Sequence, residues 1–214
     1  HFMTKKSLNQ NGKYVQELIN YIEPEFIFSN KPLNRLKVIK NDHNIENQNK
    51  IQLLSKLGKK ISSIQNCNLK DNSKKLVMGS GDVDSSIMLV GEAPGKIEDS
   101  SGYPFQGDVG SLLKKMLSAI NIDLEKVYLT YSINFRPPED RKPTAQEIKR
   151  YSVFLKEHIS IINPKIVILL GSTAMEAVTG LTNRISNERG EWKEIIIKDK
   201  TLPLIITYSP SYLI

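Results

Sequence analysis

Three short apolar runs, Ile87–Val90, Val127–Ile133 and Ile166–Leu170, recur between segments of helical periodicity, and this alternation restricts the fold more than any other feature. Each run is too short for a buried helix and reads as a strand buried on both faces of a parallel sheet. Between the first two, Val109, Leu112, Leu113, Met116, Leu117 and Ile120 give an amphipathic helix over Asp108–Ile120. Thr144 and Glu147 form a capping-box pattern opening a long helix, with Ile148, Tyr151, Leu155, Ile159 and Ile162 on one face. Gly171-Ser172-Thr173-Ala174 turns into a short helix ending near Gly180, and Trp192–Ile197 and Leu202–Tyr208 are extended around the charged turn Lys198-Asp199-Lys200. The expected fold is α/β: a three-layer α/β/α sandwich around a central four-stranded, mainly parallel sheet, plus an N-terminal helical extension. Ligands of such sheets bind outside the carboxyl ends of the strands. That selects the loops after Val90, Ile133, Leu170 and Tyr208.

The expected division is a helical extension over residues 1–66, with His1 and Phe2 set aside as a remnant ahead of Met3, and a second domain over 67–214. Tyr14, Val15, Leu18, Ile19 and Ile22 give one extension helix, and Leu54, Leu57, Ile61 and Ile64 a second, joined by a polar, Asn-rich segment around Asn41–Asn49. No apolar run approaches the roughly 20 residues that cross a bilayer, and no signal peptide is read at the start. Cys67 is the only cysteine, which excludes an internal disulfide and favours a cytoplasmic protein. A net charge of +7 suits a polyanionic partner, with nucleic acid the first candidate. The chain is expected to act as a monomer without a membrane. His43 and His158 have no partners at metal or acid–base spacing and read as surface residues.

The first of the four loops, "LVGEAPGKIEDSSGYPFQGDVG", places one carboxylate, Glu92, and one aromatic ring, Phe105, on a bent stretch directly after a strand. It lacks the Lys-Ser/Thr of a P-loop and the glycine spacing of a dinucleotide fingerprint. Together with "VYLTYSINFRPPEDRKPT", "INPKIVILLGSTA", "RGEW" and "TYSPSYLI", it resembles the uracil-DNA glycosylases of the family 4 type, in the family's order and spacing over roughly Cys67 to Ile214. The resemblance implies that Glu92 stands near the sugar and the attacking water, and that Phe105 stacks on a flipped uracil with Gly91, Ala93 and Pro94 completing the base pocket. An aromatic ring returns part of the cost of flipping a base. A carboxylate can steady an oxocarbenium-like sugar or orient water.

Three features depart from the family pattern. Tyr131 stands where the family has an Asn whose amide reads the uracil edge, and a phenol replaces a donor–acceptor fork with one hydroxyl. Ser209 stands where the family has a His bonded to the departing uracil oxygen. Cys67 matches one of the family's four cluster cysteines, while the other three fall on Ile64, Phe135 and Tyr151. One thiolate cannot hold a 4Fe–4S cluster, so the expectation is no cofactor and no metal.

Plainer readings stand beside these. Glu92 could order its loop, Phe105 could plug the core, Tyr131 could fill the former Asn space, and Ser209 could cap the closing turn. Lys96, Arg136, Ser172 and Ser211 fall on the expected DNA side, where hydroxyls and cations contact phosphates. Leu213 falls near the family's duplex-probing loop. The expected function is a divergent uracil-DNA glycosylase-like enzyme of base-excision repair, with a catalytically inactive nucleic-acid-binding or scaffold protein as the alternative.

Overall fold

In the computed structural model, which describes the backbone of residues 35–214 and side chains from residue 47, the apolar runs form the middle of a six-stranded sheet. In chain order the elements are α1 (Arg35–Ser62), α2 (Asn68–Asn72), β1 (Gly79–Gly81), β2 (Ile87–Gly91), α3 (Lys96–Ser101), α4 (Gly107–Ala119), β3 (Tyr128–Tyr131) and α5 (Ala145–Ile162). Then follow β4 (Ile166–Leu170), α6 (Ser172–Thr179), α7 (Ile185–Glu188), β5 (Trp192–Ile197) and β6 (Lys200–Thr207). The strand order is β1-β3-β2-β4-β6-β5. Strands β3, β2, β4 and β6 are mutually parallel, and β1 and β5 add to the edges antiparallel. The expectation of four strands is therefore corrected to six, although the four parallel strands are present. Strand β1 is Gly-Ser-Gly, with no apolar pattern to read, and it is recruited by backbone pairing of Gly79 with Thr130.

The side chains of the parallel strands alternate between two cores, as period-2 geometry requires. Met88, Val90, Val167 and Leu169 face Leu155, Ile159 and Ile162 of α5. Leu89, Leu129 and Leu170 face Leu113 and Leu117 of α4 on the other side. Helices on both faces of a mainly parallel sheet are the three-layer arrangement expected from the sequence. Helix α5 opens on the capping box: Thr144 N donates to Glu147 Oε2 at 2.7 Å, and Glu147 N donates to Thr144 Oγ1 at 3.3 Å.

The reading of His158 as a surface residue is overturned. It is 2% exposed, and its Nε2 lies 2.9 Å from the hydroxyl of Tyr128, with the two rings edge to face. Its spacing to other His, Asp and Glu residues could not reveal a partner that is a phenol 30 residues earlier on a strand. Burial pushes the imidazole pKa from 6.5 down to about 4. The folded protein thus holds His158 neutral where the unfolded chain would protonate it, so stability is full above pH 6.5 and falls as pH drops toward 4. The loss across that window is on the order of 3 kcal/mol at most, from the conversion of a pKa difference into free energy. Denaturant melts at stepped pH check it: His158→Gln is expected to flatten this slope.

The first expected extension helix, Tyr14–Ile22, and His43's side chain lie outside the described residues. The Asn-rich segment does not join two helices, because it lies within α1, which runs from Arg35 to Ser62. No glycine or proline interrupts the chain from Arg35 to Leu57, so nothing in the backbone stops the helix there. Its later turns are anchored: Leu57 and Ile61 pack with Cys67, Leu69, Ile133, Phe135 and Tyr151. Lys50 Nζ donates to the Val83 and Ile162 carbonyls and pairs with Asp84 at 3.0 Å. Full burial of a Leu or Ile side chain stabilises by about 1.5–3 kcal/mol. Among the described residues no helix is long and apolar enough to cross a membrane.

Candidate functional site

Chain order reverses around β2. From β2 the chain passes to β3 on one side, then crosses to β4 on the other, which makes the carboxyl ends of β2 and β4 a topological switch point. A cleft of about 1040 Å³ opens there, walled by the four loops expected from the sequence.

Glu92 leaves the end of β2 and meets the start of α6. Its Oε1 accepts from Thr173 N at 3.0 Å and from Ser172 Oγ at 3.4 Å. Two donors and the positive end of the helix dipole hold the carboxylate in place. Gly171 makes the close approach possible. Its φ of +101° and ψ of 167° lie in a region open essentially to glycine, and a Cβ there would come within 2.4 Å of Glu92 Cδ. Lys142 Nζ in turn donates to Ser172 Oγ at 2.8 Å, giving the relay Lys142–Ser172–Glu92. Among the described residues nothing donates to Glu92 Oε2, and the buried Thr173 Oγ1 has no partner.

Phe105 reaches the same cleft from the turn before α4. That turn is bracketed by Glu98, a buried carboxylate whose Oε2 accepts from Gly95 N at 3.0 Å and whose Oε1 accepts from Gln106 N at 2.9 Å. Asp99, also buried, accepts from Lys74 N at 2.8 Å and ties the loop to the chain preceding β1. Phe105 has a left-handed φ of 52°, costly for an aromatic residue. Its N–H donates to the Tyr131 hydroxyl at 3.0 Å, and the two rings stack with centroids 4.8 Å apart. Burial, and then the charge of Glu98, push the Tyr131 phenol pKa up, so it stays a neutral phenol. Gly91 is required beneath the pair, because a Cβ there would stand 2.7 Å from both rings.

Of the residues singled out from the sequence, Gly91, Glu92, Ala93, Pro94, Phe105, Tyr131, Ser172, Ser209 and Ser211 all line this cleft. Ser209 is buried, with its Oγ 2.7 Å from Ser211 Oγ. Lys96 is exposed at the start of α3 and Leu213 is exposed beyond β6, both outside the cleft lining. Arg136 spends its guanidinium on Asp140, with two contacts of 2.6 Å, and these hydrogen bonds, with its charge behind them, hold the Asp140 carboxyl below its usual range. Asn134 turns away from the cleft and donates to Val77 O at 3.0 Å. Sequence reasoning missed the role of Gly171, Lys142 and Glu98. For the last, the readable signal was a glutamate three residues after Gly95, the spacing at which an N3 carboxylate reaches back to the N-cap N–H.

Residues 78–214 match the Uracil DNA glycosylase superfamily. The chain is 35% identical over 164 residues to a type-4 uracil-DNA glycosylase of Thermotoga maritima, a match covering 76% of this chain and 84% of that protein. It is 32% identical over 165 residues to the type-4 enzyme of Archaeoglobus fulgidus (75% and 83% covered) and 33% identical over 162 residues to that of Pyrobaculum aerophilum (74% and 83%).

These relatives overturn the expectation that the chain has no cofactor, because type-4 uracil-DNA glycosylases are the iron–sulfur-cluster family. The residues present do not fit a four-thiolate cluster as they stand. Cys67 is the only cysteine in the sequence; it is buried, 3.3 Å from the Tyr151 hydroxyl, with Ile64 and Phe135 in the same packed cluster. No group of three or more His, Cys, Asp or Glu side chains able to hold a metal occurs among the described residues. The superfamily match over 78–214 and the extent of the type-4 relatives agree with the resemblance carried by the five motifs: the chain belongs to the uracil-DNA glycosylase superfamily, alongside its type-4 members.

Proposed function

We propose that the protein binds DNA across the carboxyl end of its sheet, receives a flipped uracil or related damaged base in the cleft, and hydrolyses its N-glycosidic bond. The observation that carries this reading is the seat of Glu92, fixed over the start of α6 by Thr173 N and Ser172 Oγ in the same cleft as Phe105. The bond from C1′ to the base nitrogen breaks with its electron pair leaving on the base. Glu92 opposes the positive charge growing on the sugar and takes a proton from the water that adds at C1′. The base leaves as an anion, to which Ser209 Oγ donates a hydrogen bond before a proton neutralises it. One donor placed on a developing anion is worth about 3 kcal/mol.

On this reading Lys96 and Ser211 contact phosphates, Leu213 probes the duplex, and Ser172 serves the Glu92 seat. Arg136 reaches a phosphate by exchanging Asp140 for it. Base release from uracil- and hypoxanthine-containing oligonucleotides, single- and double-stranded, tests the function. Wild type is expected to release uracil, and the double variant Tyr131→Asn, Ser209→His to release it faster by about two orders of magnitude, as a restored leaving-group donor and edge-reading amide would give. No release from any substrate by either protein at high enzyme concentration would overturn it.

A further inference from the structure

The stacking face that the base needs is already taken. Both rings border the cleft, but Phe105 is 7% exposed and Tyr131 6%, so little of either ring is open in the described conformation. Ring centroids 4.8 Å apart are in direct stacking contact, and no third ring fits between them. The backbone donor is taken as well, since Phe105 N–H is satisfied by the Tyr131 hydroxyl at 3.0 Å. Gly91 has no Cβ to part them; one there would stand 2.7 Å from each ring.

Building on the glycosylase reading, we propose that Tyr131 is a built-in occupant of the base seat, an aromatic plug that competes with the flipped base for Phe105 and sets which DNA the cleft accepts. With Tyr131 in place, the cleft takes a nucleotide that has no base to seat, as at an abasic site, in preference to one that does. A base enters only when the phenol gives up both its stack and its hydrogen bond. Those two interactions together reduce apparent affinity for a base-bearing target by roughly 10- to 100-fold, because only the open fraction binds.

The test compares binding of three oligonucleotides of one sequence, carrying uracil, a tetrahydrofuran abasic analogue, or thymine at the central position. A 2-aminopurine placed beside the central position reports flipping by fluorescence without needing catalysis. Wild type is expected to bind the abasic analogue at least about tenfold tighter than the uracil strand and to give little flipping signal with uracil. Tyr131→Ala is expected to abolish that preference and raise the flipping signal. Tyr131→Phe, which keeps the ring and loses only the hydrogen bond, is expected to fall between them, and it serves as the informative variant if the alanine protein is unstable. Equal wild-type affinity for uracil and abasic strands, with a full flipping signal, would overturn the plug while leaving the glycosylase reading intact. Binding that ignores the central nucleotide in all proteins, without base release, would overturn both.

Discussion

Replacing Gly171 with alanine is expected to cut base release by about 100-fold, the scale on which a displacement of roughly 1 Å at a reacting group is felt. The cause is local and double. The backbone at φ +101° and ψ 167° strains any residue with a Cβ, and that Cβ would stand 2.4 Å from Glu92 Cδ. The strain costs about 1–3 kcal/mol of stability. Because the neighbouring atoms belong to the carboxylate itself, the cheapest relief is for Glu92 to swing off Thr173 N. Single-turnover release measured beside a thermal melt separates the two effects. A rate loss far exceeding what the lost folded fraction explains marks displacement of Glu92; a rate that tracks folded fraction alone would mean Gly171 only closes the turn.

Glu92→Gln is expected to cost still more, about 10²–10⁴-fold in rate, the usual worth of a positioned acid–base group. Glutamine is close to isosteric, and its carbonyl can still accept from Thr173 N and Ser172 Oγ, so the loop should keep its shape. What it loses is the negative charge opposite the sugar and the ability to take a proton from water. Oligonucleotide affinity is expected to change only a fewfold, since the residues proposed to contact phosphate are Lys96, Arg136 and Ser211 rather than Glu92. A Glu92→Gln protein with undiminished release would show that the seat over α6 organises the loop and does no chemistry.

The sheet was legible where hydrophobic spacing carried it. Strand β4 follows the apolar run Ile166–Leu170, and α5 starts at the capping box of Thr144 and Glu147. The loops were legible because their glycines and prolines stand directly after those strands. What failed to register depended on partners distant in sequence. Strand β1 has no side-chain pattern and exists because β3 offers it a backbone edge. The continuous α1 crosses an Asn-rich stretch of modest helix propensity, carried by its anchored later turns. His158 is buried because Tyr128 meets it from the adjoining strand.

At the site, residue types were readable and their contacts were not. The family resemblance implied an amide at the place of Tyr131, but nothing in the sequence showed the hydroxyl bound to Phe105 N or the ring stacked on Phe105. Likewise Gly171 read as a turn glycine, and only its distance to Glu92 shows why a side chain is excluded there.

The claim at the centre is that Glu92, held at the switch point, drives water addition at C1′ of a uracil nucleotide. It is tested most directly by mass spectrometry of a uracil-containing single-stranded oligonucleotide incubated in H₂¹⁸O with wild type and with Glu92→Gln. Free uracil and an abasic strand carrying ¹⁸O at C1′ are expected from wild type, with the variant slower by about 100-fold or more. An intact strand after prolonged incubation with excess wild-type protein that demonstrably binds it would contradict the claim.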